Sequence, residues 1–90
     1  MELKKSLKID NELGLHARSA AKIVELAKAY QASLFLRKGD KEVDGSSILS
    51  LLLLSCPQGT VVEARVEGPD AADLLQALTD LFERKFDEGK

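Results

Sequence analysis

The sequence predicts an α+β fold, an open-faced β-sandwich in the order β-α-β-β-α-β-α, with a four-stranded, mostly antiparallel sheet and three helices on one face. Three observations predict it. Segments of period-two alternation each keep one polar face, which implies a sheet covered on one side only. The segments between them carry apolar residues at three- and four-residue spacings, the stripe of a helix lying on such a sheet. Aromatic residues make up only 4% of the 90 residues, so Leu, Val, Ile and Ala must fill the core.

Residues 3–9 open the sheet: Leu3, Lys5, Leu7 and Ile9 alternate with Lys4, Ser6 and Lys8, a strand pattern with Lys5 as its one violation. Asp10, Asn11 and Glu12 break it. After Gly14 the period changes, and Ala17, Ala20, Ala21, Ile23, Val24, Ala27 and Tyr30 form one side of a helix of about 13 residues, opposite Arg18, Lys22, Glu25 and Lys28. Extended character returns at residues 33–37, and Gly39 supplies a tight turn before Glu42, Val43 and Asp44. Asp44, Ser46 and Ser47 are capping residues ahead of the run 48–54, read as two turns of helix. Cys56, Pro57 and Gly59 end it. Residues 60–67 are the clearest strand, with Val62, Ala64 and Val66 facing one way and Glu63, Arg65 and Glu67 the other. Pro69 and Asp70 start the last helix, whose stripe is Ala71, Leu74, Leu75, Leu78, Leu81, Phe82 and Phe86, and residues 87–90 are expected to fray.

Size and composition bound the function. Residues 1–90 are expected to form one domain with a modest core. With 13 basic against 15 acidic residues and a net charge of −2, the chain has no field for nucleic acid. The N-terminal segment alternates and is charged, unlike a signal peptide, and the apolar run 51–54 is too short for a bilayer, so no membrane insertion is expected. Cys56 is the single cysteine; it reads as a buried thiol, and a cytoplasmic setting is expected. One histidine and one cysteine make no metal site, and neither metal nor cofactor is expected. No serine stands in a Gly-x-Ser-x-Gly elbow, so stand-alone catalysis is not expected either.

What remains is His16, the only histidine, at the point where strand gives way to helix. A helix beginning near Ala17 leaves its first N–H groups unpaired, and these favour an anion such as a phosphoryl group beside the ring. The same positive end disfavours imidazolium and keeps a ring nitrogen lone pair available as a nucleophile. Arg18 can offer a planar cationic fork to phosphate oxygens. The plainer alternatives are a capping or surface histidine and a solvated helix charge.

Gly14-Leu15-His16-Ala17-Arg18 resembles the phosphohistidine signature of HPr, the histidine-containing phosphocarrier family of the bacterial phosphoenolpyruvate-dependent phosphotransferase system. Chain length, element order, the Ser47-Ile48-Leu49 segment and the Gly59 turn share the resemblance. It implies a phosphocarrier without turnover of its own. His16 would accept a phosphoryl group, on Nδ1 and not Nε2, from the phosphoenolpyruvate-charged first enzyme and pass it to a sugar-permease component or a regulatory acceptor. Arg18 would steady the phosphoryl group. The alternative is an HPr-like regulatory or docking module, in a nitrogen-related or catabolite-control branch, that acts by binding proteins.

The resemblance also marks Ser47 as the serine that an ATP-dependent kinase phosphorylates and a phosphorylase restores, with Ser46 an adjacent competitor. A helix cap is the simpler role, and the two are compatible. At 100° per residue the leucines of run 48–54 point in every direction, so a helix on a sheet cannot bury them all. By resemblance Ile48, Leu49 and Leu52 form an apolar docking patch beside His16, with Arg18 and Lys22 at its rim. A monomer is expected, although the sequence itself is silent on self-association. The family usually has proline where Ser19 stands, and serine is expected to leave an extra donor and a looser first turn.

Overall fold

The computed structural model describes residues 1–89 and has the predicted order: β1 (Glu2–Lys8), α1 (Ala17–Ala29), β2 (Ser33–Lys38), β3 (Lys41–Asp44), α2 (Ile48–Leu53), β4 (Val61–Glu67) and α3 (Ala71–Glu83), with a short helical turn, Lys85–Asp87, after them. The sheet order is β1-β4-β2-β3, and every neighbouring pair is antiparallel. The register explains the alternation seen in the sequence. Leu3 pairs with Val66 and Leu7 with Val62 across β1 and β4, while Leu34 pairs with Val66 and Leu36 with Ala64 across β2 and β4. These side chains share the face under the helices.

Against that face α1 sets Ala20, Ile23, Val24 and Ala27, α2 sets Leu51, and α3 sets Ala71, Leu74, Leu78, Leu81 and Phe82. Ala20 is fully buried, because a methyl side chain lets the helix backbone approach the sheet closely. Two turns of α2 cannot hide every leucine of the run. Leu51 and Leu54 go inward, Leu52 is half-buried, and Ile48, Leu49 and Leu53 stay exposed.

The other face of the sheet is open. There Glu2 and Glu67 stand directly opposite each other in β1 and β4, a repulsive pairing on its own. Arg65 offsets it by donating to Glu67 at 2.6 Å and to Glu2 at 3.4 Å from one nitrogen. Its remaining nitrogens reach Glu42 on β3, and the guanidinium lies 4.2 Å over the ring of Phe35 on β2. One arginine therefore ties all four strands together on the wet side.

The chain end departs from expectation. Of residues 87–90, expected to fray, Asp87 accepts Arg84 Nε at 2.9 Å and Glu88 bonds to Asn11 and His16, while Phe86, part of the expected stripe, is fully buried, its ring centroid 4.9 Å from that of Phe82. Lys90 lies outside the described residues. The apolar stripe of α3 thus reaches Phe86 by a change of backbone hand. Lys85, Phe86 and Asp87 have φ of 54°, 56° and 61°, left-handed values that cost L-residues roughly 1–2 kcal/mol each. Burying the Phe86 ring, together with the bonds described below, offsets that cost.

Candidate functional site

The site is built outward from the turn between β1 and α1. Beyond β1, Ile9 donates its N–H to Thr60 O at 2.8 Å and accepts that of Gly59 at 2.7 Å, so the turn leaves the sheet from a fixed point. Asn11 is fully buried, and its Nδ2 donates to Gly14 O at 2.7 Å. Gly14 has φ +70°, and a Cβ there would lie 2.5 Å from Cys56 O. Only glycine fits both the dihedral and the space. Leu15 N–H then donates to that same Cys56 O at 2.8 Å, which locks the turn onto the loop after α2.

His16 follows in an extended conformation and is the N-cap of α1. Its Nδ1 accepts the backbone N–H of Arg18 at 3.3 Å. Ser19, three residues on and fully buried, accepts the backbone N–H of His16 on its hydroxyl at 2.9 Å. Together these contacts make a capping box. The expected loosening is therefore corrected: the serine hydroxyl closes the first turn instead of leaving it slack, and the signal was its spacing of three from the cap.

The other ring nitrogen, Nε2, meets the Glu88 carboxylate, while the second Glu88 oxygen accepts Asn11 Nδ2 at 2.7 Å. A carboxylate only accepts and a backbone N–H only donates. The network therefore assigns the proton to Nε2 and the lone pair to Nδ1. The Glu88 side chain is 10% exposed and the His16 side chain 29%. Burial acts to raise the Glu88 carboxyl, yet the bonds from Asn11 and His16 and the charges of His16 and Lys22 hold it below the usual carboxylate range.

Sequence reasoning missed Glu88, which is 72 residues from its histidine. Lys22, expected at the docking rim, also has partners within the chain. Lys22 Nζ donates to Phe86 O at 2.6 Å and lies 3.9 Å from Asp87, and so straps the C-terminal turn to α1. Arg18 is exposed, and among the described residues its guanidinium makes no hydrogen bond or ion pair.

At the start of α2 the two serines differ. Ser47 is the N-cap, its hydroxyl accepting Ser50 N–H at 3.2 Å. Ser46 donates its hydroxyl and its backbone N–H to the Asp44 carboxylate, at 2.7 and 2.8 Å, which holds that carboxyl below its usual range. Of the expected patch, Leu49 is 69% exposed, Ile48 is 40% exposed and Leu52 is half-buried. Leu13 and Leu53, not foreseen, are also exposed. Cys56 is buried, and burial pushes its thiol pKa up.

Neither His16 nor Arg18 lines the groove of about 330 Å³ bounded by Lys22, Glu25, Leu26, Leu81, Arg84 and Asp87. Among the described residues no group of three or more His, Cys, Asp or Glu side chains is placed to hold a metal ion, and no helix is long and apolar enough to cross a membrane. A small-molecule site buries most of its ligand. The His16 side chain, 29% exposed, lies outside that groove.

A family model described as the phosphorylation site of the PTS HPr component matches residues 3–84. The chain belongs to the HPr family. It is 41% identical over 88 residues to the phosphocarrier protein HPr of Neisseria meningitidis, covering 98% of this chain and 99% of that one. It is 37% identical over 89 residues to the phosphocarrier protein NPr of Klebsiella oxytoca, at the same coverage. The crystal structure of an HPr from Thermoanaerobacter tengcongensis superposes with a TM-score of 0.91 at 37% identity, covering 96% of this chain and 97% of the other. An HPr is a phosphocarrier of the phosphotransferase system and not a stand-alone enzyme, and the higher identity to a protein named HPr than to one named NPr favours that main reading over the nitrogen-related one.

Proposed function

We propose that this member of the HPr family carries its phosphoryl group on Nδ1 of His16, taking it from the phosphoenolpyruvate-charged first enzyme of the system and handing it to a sugar-permease component in the cytoplasm. The observation that supports this most is the division of the ring. Nε2 is occupied by Glu88, and Nδ1 carries the lone pair at the start of α1, where Arg18 N–H already points at it. A phosphoryl group on Nδ1 replaces a neutral acceptor by an anionic one at the positive end of a helix. The Arg18 guanidinium, unengaged within the described residues, supplies countercharge.

Partners dock on the exposed apolar side chains of α2, Ile48, Leu49 and Leu53, with half-buried Leu52 beneath them and Leu13 nearby in the chain before His16. Phosphorylation of Ser47 by an ATP-dependent kinase regulates that surface. Its phosphate sits at a helix cap and leaves the helix intact.

The test is incubation with a cognate first enzyme and phosphoenolpyruvate. An acid-labile adduct of about 80 Da, one phosphoryl group, forms on His16 and is absent from His16→Ala. A wild-type chain that stays unmodified beside a demonstrably active donor overturns the reading.

A further inference from the structure

The C-terminal turn is held more firmly than chain closure requires. Phe86 anchors it in the core, Lys22 binds its carbonyl at 2.6 Å, and Arg84 Nε donates to Asp87 at 2.9 Å. Between those ties the backbone runs through three left-handed residues, none of them glycine. Such conformations persist only where the surroundings over-determine them, and they gather at working sites. What this turn delivers is one carboxylate with both oxygens partnered, one by the buried Asn11 and one by the His16 ring. The residues matched by the family model end at 84, before the turn begins.

We propose that Glu88 is a positioning residue for phosphoryl transfer: its carboxylate fixes the Nε2–H tautomer and the orientation of His16 and stabilises the positive charge the ring acquires when Nδ1 bonds phosphorus. The inference rests on Nδ1 being the phosphoryl acceptor. In the step, the Nδ1 lone pair forms the N–P bond as the donor's bond to phosphorus breaks, and that bonding pair leaves with the donor. No proton is lost. Nε2 keeps its hydrogen, the ring becomes a phosphoimidazolium, and Glu88 faces the new charge across the Nε2–H bond. Transfer onward reverses these changes and releases a neutral imidazole, a far better leaving group than imidazolate. A carboxylate holding a reacting imidazole in one tautomer and stabilising its cation is the role of aspartate in Ser-His-Asp sites. Here it lies at Nε2, while the incoming anion approaches Nδ1.

Glu88→Gln tests the proposal, because an amide keeps one accepting oxygen and puts NH2 in place of the other, so Asn11 or His16 loses its acceptor. The variant is expected to keep the wild-type circular dichroism and the wild-type Michaelis constant for the phosphorylated first enzyme. Its maximal charging rate falls by about tenfold or more, the scale of lost ligand orientation at other sites. The ring ¹⁵N signals of uncharged His16 move from the Nε2–H pattern toward a mixture of tautomers. If wild type charges and the variant charges as fast, the role of Glu88 is overturned and the acceptor reading stands. If wild type does not charge, the acceptor reading itself fails. Slower charging with unchanged ring signals also overturns the proposal, since the carboxylate would then act on the partner. Ring signals of the wild type alone decide the case of a poorly folded variant, because an Nδ1–H tautomer there contradicts the proposal outright.

Discussion

The Ser19 hydroxyl accepts the backbone N–H of His16 at 2.9 Å while the His16 ring accepts the backbone N–H of Arg18 at 3.3 Å, so the first turn of α1 is closed from both sides. Losing the Ser19 half leaves a part-buried donor unpaired. Ser19→Ala is expected to lower stability by about 0.5–2 kcal/mol, the usual cost of a lost cap, measured by urea unfolding. An unchanged midpoint would mean that water replaces the hydroxyl at no cost.

Arg18 presents the opposite case. Its side chain is exposed and unpaired within the described residues, so Arg18→Ala should unfold within about 0.5 kcal/mol of wild type. Charging of His16 should slow by roughly 10- to 100-fold, as expected for loss of hydrogen bonds to a charged group worth about 1.5–3 kcal/mol. Equal charging rates would reduce Arg18 to a solvated surface charge.

Ser47 already caps α2, and aspartate caps as well as serine does. Ser47→Asp should therefore melt like wild type yet bind the first enzyme more weakly, because the new charge adjoins exposed Ile48 and Leu49. Titration calorimetry reads the binding. A large fall in melting temperature instead would make Ser47 purely structural.

Acid should release the chain end before it unfolds the core. The Glu88 carboxyl is held below its ordinary value of 4.5, so its contribution is complete above the unfolded pKa and is lost as pH falls through the lower folded one. As pH falls below about 5, the region where such carboxylates protonate, the Asn11 side-chain amide and Phe86 ring signals should shift while strand amides stay protected. Simultaneous loss of all signals would show that the turn has no separate hold on the core.

Most of the fold was legible because its sheet and helices obey local periods. Val62, Ala64 and Val66 alternate as strands do, and α1 begins and ends where the alanine stripe does. Within residues 48–54 nearly every position is apolar, so no period could tell that Leu53 lies outside and Leu52 half inside. Packing against α1 decides that. The His16 loop was legible from its glycine and its cap spacing, although Ser19 was read for the ring it lacks and not for the hydroxyl it has. Lys85, Phe86 and Asp87 carry no local mark of left-handed backbone, since that conformation is imposed by the core and not preferred by those residue types. Glu88 was out of reach for the same reason.

The His16 side chain, 29% exposed, is small beside any protein that must cover it. With His16 as the proposed acceptor, donor and acceptor would need the same footprint and exclude each other. On that proposal a three-protein assembly on this ring is sterically closed, and the carrier would dissociate between receiving and giving. Fast exchange favours small, weak interfaces over large ones. Were the exposed apolar side chains of α2 the docking surface proposed above, their small number would suit such an interface, and a tighter grip would slow the relay.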